Sequence, residues 1–345
     1  MLYLTTYAGL ILLRFAKAQN LYYVVLISLF LFSAFRFKVG CDWSGYLNQF
    51  YLYRAVPFSE IFQEREPLWI GLFTLQSWFG LPYPWINVFS SVIFFWGVHV
   101  LGRRQLDPLA FLILLFPILI INIPMSGIRQ AAATGVLCMA FVAFVDRRLV
   151  RFTLTTLLAA AFHSSAIVFL LLIPLVRGNY SKKRLALSGM LAAPGALALL
   201  STKAAEVATS RYIGAGTDAA GAAFRVALLV VTAVFFFLFL RKKWAAAFPQ
   251  DYKLVAIGSF MMMAMMVLVP ISSVIGDRLG YYLIPIQTMI FARLPYLPLL
   301  PNRQLFVALP YLGLMLVFAV WTTLSTLFPR CYEPYDTWLF GFPEG

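Results

Sequence analysis

Ten apolar runs of membrane-spanning length constrain the fold of this sequence more than any other feature. They cover residues 2–17, 21–37, 85–102, 108–123, 127–145, 184–200, 224–240, 253–271, 279–292 and 304–323. With 62% hydrophobic and 12% charged residues, the chain of 345 residues carries more apolar surface than a soluble domain could bury. We therefore predict an all-α, polytopic integral membrane protein with about 10–12 transmembrane helices and a single domain over 1–345.

Two further apolar regions are too short for the spans that their positions require. Region 67–81 contains PLWIGLFTLQSWFG, which would be about 21 Å long as a helix, so we predict a re-entrant or interfacial helix. Run 152–176 begins and ends at basic clusters, and it predicts two short helices that meet at FHSS, near His163. Non-helical backbone at that depth is tolerated only where protein buries it or where it lines a wet cavity.

The distribution of basic residues predicts the orientation of the chain. The net charge is +14, and cytoplasmic loops of membrane proteins carry excess Lys and Arg. With every basic cluster in the cytoplasm, that side holds 17 Lys+Arg and three acids, and the other side holds ten of each. Topology then accounts for the whole excess charge, so no nucleic-acid partner is expected. The clusters are Arg14/Lys17, Arg103/Arg104, Arg147/Arg148/Arg151, Arg177/Lys182/Lys183/Arg184, Arg241/Lys242/Lys243/Lys253 and Arg293/Arg303.

This orientation places both termini and three polar segments outside: loop 38–66, loop 201–223 and the tail 329–345. The first residues lack a basic region and a small-residue cleavage site, so they are expected to form the first span. Cys41 and Cys331 fall on the outer side, and the sequence leaves open whether they form a disulfide. Inverting 67–176 would make both short regions ordinary spans, but it would place five arginines outside, against the charge rule.

Arg129 is the most unusual charged residue, since it lies between two apolar runs in NIPMSGIRQAAATG. Ser126 is a good N-cap, which would place Arg129 in the first turn of the next helix. A helix N-terminus and a guanidinium together attract an anion such as a phosphate. The alternative is a structural ion pair with an acid such as Asp42 or Glu66. The small residues from Ala131 to Gly135 would let neighbouring helices approach closely.

Arg278 and Arg36 are two further candidates for anion binding. Arg278 follows Asp277, which is predicted to cap a helix that restarts after an external turn, so Arg278 would repeat the arrangement of Arg129. Arg36 lies at the outer end of the second span. The alternative for both is an arginine that extends to the lipid headgroups.

His163 is one of two histidines, and the predicted helix break there makes it a candidate general base. The alternative is a buried histidine with a structural role. Asp42 and Glu66 are further candidate bases or arginine partners, although Glu66 could simply cap the helix that begins at Pro67. No Asp-x-Asp motif or histidine cluster suggests a bound metal, and only the acids of EREP (64–67) could hold a cation.

Aromatic residues are concentrated in the segments that we place outside. Sugar rings stack on such side chains, although aromatic belts at membrane interfaces are a commoner cause. The candidate sugar-binding residues are Trp43, Tyr46, Trp69, Tyr281, Tyr282 and Tyr335.

Five stretches in chain order resemble the EpsG-type, Wzy-like family of membrane polysaccharide polymerases: RFKVGCDWSGY, EREPLW, SGIRQAAATG, AAAFHSSAIVFLLLIPL and DRLGYY. The element GIRQ followed by FH-x-S is the most specific part. The resemblance implies a GT-C-like fold in the bacterial inner (cytoplasmic) membrane, with the active site facing the periplasm. It carries over six positions of interest: Arg36, Asp42, Glu66, Arg129, His163 and Arg278. Cys41 departs from the pattern, because a small residue is expected before the matched Asp42.

The expected function is a glycosyltransferase that polymerises undecaprenyl-pyrophosphate-linked oligosaccharide repeats, which serve as both donor and acceptor. His163, Asp42 or Glu66 would act as the base, and Arg129, Arg278 and Arg36 would bind the pyrophosphate. No metal and no cofactor are expected. Candidate partners are membrane lipids, a chain-length regulator and a flippase.

Three alternatives remain open. A ligase would use the same donor but pass the glycan to a different acceptor. A transporter or flippase of lipid-linked sugars would also need arginines, on a path reachable from both faces. The sequence shows no repeated halves, which disfavours transport. A membrane acyltransferase would also use a buried histidine, but it would not need several arginines at external helix starts.

Overall fold

The computed structural model describes residues 1–16, 18–178, 181, 183–184, 186–187, 190, 221–298 and 303–342. These residues form helices and no β-strand, apart from one isolated antiparallel bridge between Arg36 and Thr337. The prediction of an all-α polytopic membrane protein is confirmed. The helices are α1 (Leu2–Phe15), α2 (Tyr22–Ala34), α3 (Trp43–Tyr53), α4 (Pro67–Trp78), α5 (Trp85–Gly102), α6 (Pro108–Leu115), α7 (Ile128–Val145), α8 (Leu149–Phe162), α9 (Ile173–Val176), α10 (Ala222–Phe235), α11 (Arg241–Ala247), α12 (Tyr252–Ile271), α13 (Ser273–Arg293), α14 (Arg303–Leu324) and α15 (Leu327–Tyr332).

Five helices of the described chain are long and apolar enough to cross a membrane. They are Trp85–Gly102, Ile128–Val145, Ala222–Ala247, Tyr252–Pro270 and Gln304–Leu324. Five shorter apolar helices accompany them: Leu2–Phe15, Gln19–Ala34, Pro108–Ile120, Leu149–Phe162 and Ser164–Val176. The number of crossings stays a prediction. The predicted span 184–200 and loop 201–223 lie almost entirely outside the described residues.

The chain breaks at His163, where the sequence predicts a break. Helix α8 ends at Phe162, and a 3₁₀ helix over Ser164–Leu172 follows at once. The N–H of His163 still bonds to the carbonyl of Ala159, so the residue closes the last turn of α8. The predicted pair of short helices in run 152–176 is therefore confirmed.

The predicted start of the helix that contains Arg278 is wrong. Helix α13 begins at Ser273, because Ser272 adopts an extended conformation and its Oγ accepts a hydrogen bond from the N–H of Ile275 at 3.3 Å. Ser272 is therefore the cap, and Asp277 lies one turn inside the helix. Arg278 is not a first-turn residue.

The predicted external loop 38–66 and the described part of the predicted tail, 329–342, contain helical segments. The loop contains α3, and the tail contains the end of α15. Beyond α15 the tail pairs with the end of α2, since Phe37 N–H bonds to the carbonyl of Asp336 at 2.9 Å and Trp338 N–H bonds to that of Phe35 at 2.9 Å. A disulfide joins Cys41 to Cys331, which resolves the pairing that the sequence left open.

Helices α5 and α7 approach closely through two glycines. A Cβ at Gly135 would lie 2.5 Å from the carbonyl oxygen of Ile93, and one at Gly97 would lie 1.7 Å from that of Gly135. Ala131, Ala132 and Ala133 are fully buried. The prediction that small residues in this stretch permit close helix packing is confirmed.

The chain divides into two compact units that alternate along the sequence. Unit 1 comprises Met1–Met139, Leu158–Ser164 and Phe291–Gly345, and unit 2 comprises Ala140–Leu157 and Ser165–Ile290. The prediction of one integral domain over 1–345 stays a prediction.

Candidate functional site

The Glu66 carboxylate joins segments of unit 1 that are far apart in the sequence. Its Oε2 accepts a hydrogen bond from Nη1 of Arg129 at 2.6 Å. Its Oε1 accepts one from Nδ1 of His163 at 2.9 Å and one from the backbone N–H of Ser164 at 2.8 Å. Three predicted site residues therefore meet at one carboxylate, and of the two partners that the sequence offered Arg129, the structure pairs it with Glu66.

The local sequence explains how the three side chains reach this point. Glu66 precedes Pro67, which disfavours a helical conformation at Glu66, and the carboxylate of Glu66 makes no cap bond to α4. It accepts the first N–H of the 3₁₀ helix at Ser164 instead. The carbonyl of Gly127 accepts the first helical hydrogen bond of α7, from Ala131, so Gly127 rather than Ser126 is the N-cap. Arg129 lies in the first turn of α7, as predicted.

Burial separates these groups in a way that leaves Arg129 accessible. Glu66 is 7% exposed and His163 is 5% exposed. The Arg129 side chain is 26% exposed, so it is more accessible than either Glu66 or His163.

Glu66 is ionised at neutral pH, which defines the proton arrangement of His163. Burial raises the pKa of this carboxyl, but the hydrogen bond from His163, the charge of Arg129 and the Ser164 N–H together lower it to about 2. An ionised carboxylate only accepts hydrogen bonds, so Nδ1 of His163 carries a proton. In the neutral ring, the basic lone pair is then on Nε2.

Asp42 and Arg36 both contact the segment just before α7, at Ser126 and Met125, and we call this contact the α7 junction. Asp42 is exposed, and its Oδ2 accepts a hydrogen bond from Oγ of Ser126 at 3.2 Å. Arg36 is buried, and its Nε donates to the carbonyls of Val39 at 2.9 Å and Met125 at 2.8 Å. These bonds favour a structural role for Arg36, and its role in pyrophosphate binding stays a prediction.

Gly40 lies at this junction, at a position where no other residue type fits. Its φ is +105°, and a Cβ there would lie 1.9 Å from the carbonyl oxygen of Met125. Only glycine allows the loop before Asp42 to lie against the chain before Ser126.

The predicted sugar-binding aromatics are mostly packed in the protein interior. Tyr46 and Trp69 pack edge to face at 5.4 Å in a buried cluster on α3 and α4. Trp69 and Tyr282 are fully buried, and Tyr281 is 8% exposed, while Trp43 and Tyr335 are half-buried. Tyr335 stacks on Phe32 at 4.6 Å. Sugar binding by these residues stays a prediction, and in this conformation a sugar could not reach Trp69 or Tyr282.

Unit 2 contains an acid–arginine pair, Arg225 with Asp277, that the sequence reasoning missed. Arg225 donates from Nε to Oδ1 of Asp277 at 2.7 Å and from Nη2 to Oδ2 at 2.8 Å. Its guanidinium lies 5.3 Å from the ring centre of Tyr281. Arg225 falls in the first turn of α10, at the edge of an apolar run, which is the same signal that singled out Arg129. Arg278 is half-buried in this unit, and its pyrophosphate role stays a prediction.

The described residues contain no group of three or more His, Cys, Asp or Glu side chains that could hold a metal ion.

The fold and this cluster define a polytopic, all-α membrane protein with a buried carboxylate between a histidine and an arginine. A family model described as the EpsG family matches residues 19–337. The chain therefore belongs to the EpsG family, which confirms the resemblance noted above. No curated protein and no solved structure matches the sequence significantly.

Proposed function

We propose that this protein is a metal-independent glycosyltransferase that polymerises polyprenyl-pyrophosphate-linked oligosaccharide repeats on the periplasmic face of the bacterial inner membrane. The observation that carries the proposal is that His163 and Arg129 bind the same carboxylate, that of Glu66. This carboxylate holds a candidate general base beside an arginine that could bind a diphosphate. Membership of the EpsG family supports the class of reaction.

The proposed reaction joins two lipid-linked repeats. A hydroxyl oxygen of the acceptor attacks the anomeric carbon of the donor, and the bond from that carbon to the pyrophosphate oxygen breaks. The leaving pyrophosphate takes the electron pair, and the hydroxyl proton passes to Nε2 of His163. Glu66 holds Nδ1–H and stabilises the imidazolium that forms.

Arg129 would supply the electrostatic part of catalysis. Negative charge grows on the pyrophosphate as the bond to the sugar breaks, and a fixed guanidinium next to it stabilises the transition state more than the ground state. The partial exposure of Arg129 fits this role, since the arginine can meet a diphosphate while Glu66 holds its other side.

The Cys41–Cys331 disulfide supports the periplasmic orientation. Disulfides form and persist in oxidising compartments such as the bacterial periplasm and are rare in the cytosol. Cys41 immediately precedes Asp42, at the junction with α7, so the disulfide and the cluster would share the outer side.

The test is chain extension by the purified protein in liposomes that contain a polyprenyl-pyrophosphate-linked repeat. We expect a ladder of oligomers on a gel, and we expect His163→Ala to lower the extension rate by a factor of about 10²–10⁴, the typical contribution of a general base. His99→Ala is the matched control, since His99 lies in α5, contacts Tyr22 of α2 and is not part of the Glu66 cluster, so the ladder should stay unchanged.

Two outcomes would contradict the proposal. A normal ladder from His163→Ala would remove the base from the mechanism. Transfer only to an acceptor that is not a second lipid-linked repeat would identify a ligase.

A further inference from the structure

A cleft of about 630 Å³ in unit 2 lies at the turn between α7 and α8 and at the end of α9. Its lining combines positive charge with apolar surface. The four arginines are exposed, and Leu154 is 60% exposed. The residues that matter for its chemistry are Arg147, Arg148, Arg151, Arg177, Leu149 and Leu154.

Nothing in the described part of the chain neutralises these arginines. None of the four guanidinium groups forms a hydrogen bond or an ion pair with a described residue. Arginines elsewhere do have such partners: Arg14 pairs with Asp107 at 2.7 Å, and Arg293 donates to Gln105 at 2.9 Å. Four like charges around one cleft repel each other, and an anion between them would relieve that repulsion.

Arg147 has a backbone conformation that is unusual for a residue with a side chain. The N–H of Arg147 bonds to the carbonyl of Phe144, and that of Arg148 bonds to the carbonyl of Ala143, which is the pattern of a Schellman motif. The residue at the Arg147 position of this motif is left-handed and usually glycine, yet arginine adopts it here with φ +56°. Such a conformation costs about 1 kcal/mol or more, and it persists where another requirement outweighs the cost.

Arg177, on the other side of the cleft, is held in place by a lysine. Nζ of Lys253 donates to the carbonyl of Val176 at 2.9 Å and to that of Gly178 at 3.2 Å. These bonds fix the backbone on both sides of Arg177.

We propose that this cleft binds the phosphate headgroup of an anionic phospholipid, whose acyl chains cover Leu149 and Leu154. Arginine is well suited to phosphate because its planar group donates two parallel hydrogen bonds. Exposed Leu154 and half-buried Leu149 beside the arginines favour a lipid over a free phosphate, because a free phosphate would leave their apolar surface in water. His163 lies in the segment 149–176, which runs from the start of α8 to the end of α9. A lipid bound in the cleft would contact both ends of this segment, at Leu149 and beside Arg177.

The experiment measures the thermal stability of the purified full-length protein in detergent with added phosphatidylglycerol, phosphatidylethanolamine or inorganic phosphate. We expect phosphatidylglycerol to raise the midpoint, and the other two to have little effect. The variants are Arg147→Gly alone and Arg151→Gln combined with Arg177→Gln. Each lost arginine should weaken the apparent affinity for phosphatidylglycerol by roughly fivefold.

Arg147→Gly separates binding from folding. Glycine adopts a positive φ without strain, so this variant should be at least as stable as the wild type without lipid, yet it should lose part of the shift. Lys242→Gln combined with Lys243→Gln is the charge control, since it removes two charges from a cluster outside the cleft.

Three results would overturn the proposal. An equal loss in the Lys242 and Lys243 control would show a general attraction of anionic lipid to basic residues. An equal shift with inorganic phosphate would show a site for free phosphate only. An unchanged shift in both arginine variants would place the lipid elsewhere. The test does not use activity, so it stands or falls separately from the proposed function.

Discussion

Glu66 is the residue on which the candidate site depends. Its carboxylate accepts three hydrogen bonds, from a guanidinium, an imidazole and a backbone N–H at the start of a 3₁₀ helix. Each donor is a group that is costly to bury without a partner, since buried polar groups and orphan N–H groups at a helix start need hydrogen bonds. The same bonds keep Glu66 ionised, and so they determine which nitrogen of His163 can accept a proton.

We predict that Glu66→Gln changes how stability depends on pH. The folded-state pKa of about 2 lies below the usual value of 4.5, so the stabilisation is fully present above pH 4.5 and is lost as the pH falls toward 2. The wild type should therefore be more stable than Glu66→Gln near neutral pH, and the difference should shrink as the pH is lowered below 4.5. Thermal unfolding in detergent from pH 7 to pH 3 measures it, and a constant difference would contradict the assignment.

We also predict that Arg129→Lys is severely impaired in chain extension. Lysine keeps the charge but lacks the planar pair of donors, so it can hold neither Glu66 nor a diphosphate in the same geometry. Extension by liposome-reconstituted Arg129→Lys should fall by a factor of about 10² or more, comparable to the loss of one preorganised hydrogen-bond donor in other active sites. Arg65→Ala is the control, because Arg65 is exposed and adjacent to Glu66. Wild-type activity in Arg129→Lys would mean that charge alone suffices.

The sequence singles out Glu66, Arg129 and His163 as candidates, but it does not predict how their side chains pair. Arg129 and His163 stand out because polar groups inside apolar runs are costly. The partner of Arg129 remained open between Asp42 and Glu66, because pairing between distant segments depends on tertiary packing. The burial of Trp69 and Tyr282 could not be predicted either, because the same aromatic residue types occur at membrane interfaces and in protein interiors.

At the scale of helices, length was the most informative signal. Run 152–176 is too short for two spans, which correctly predicts the break at His163. The start of α13 was missed because Asp277 and Ser272 are both good caps, and the geometry at the end of α12 selects Ser272. Helix α3 was missed because its sequence, WSGYLNQFYLY, packs on α4 rather than forming a long apolar run.

We predict that Gly135→Ala and Gly97→Ala disrupt the packing of α5 on α7. Each new methyl group would meet backbone atoms at 2.5 Å or less, so the helices must separate. The cost of such overpacking is typically about 1–3 kcal/mol, and a backbone clash lies at the upper end. Thermal unfolding in detergent should show a lower midpoint for both variants.

Gly313→Ala in α14 is the matched control, since nothing lies within 4 Å of its added methyl group. Alanine is the better helix former there, so this variant should be as stable as the wild type or slightly more stable. An equal loss in the control would mean that a general effect of helix substitution, not close packing, determines the result.

At the scale of the molecule, polytopic topology could be predicted, whereas the division into two units could not. The segment Leu158–Ser164 belongs to unit 1, although the residues on both sides of it belong to unit 2. No local composition marks such a boundary. Pairing of the tail with the end of α2 is similarly a long-range contact, between residues about 300 positions apart, which periodicity cannot reveal.

We predict that the Cys41–Cys331 disulfide forms in the cell. The wild type should migrate differently on non-reducing and reducing gels, and Cys41→Ser should abolish the difference. Cys138→Ser is the control, since Cys138 is buried and free, and it should keep the difference. Loss of a native disulfide costs roughly 2–5 kcal/mol in small secreted domains, so Cys41→Ser should also unfold at a lower temperature. Identical migration of the wild type in both gels would contradict the periplasmic assignment.

That disulfide turns most of the polypeptide into a covalent ring, because its two cysteines are 290 positions apart. A protease that cuts any loop within the ring would leave two fragments still tied together, and neither could leave the bilayer alone. The two fragments would migrate together until a thiol reductant cleaved the disulfide.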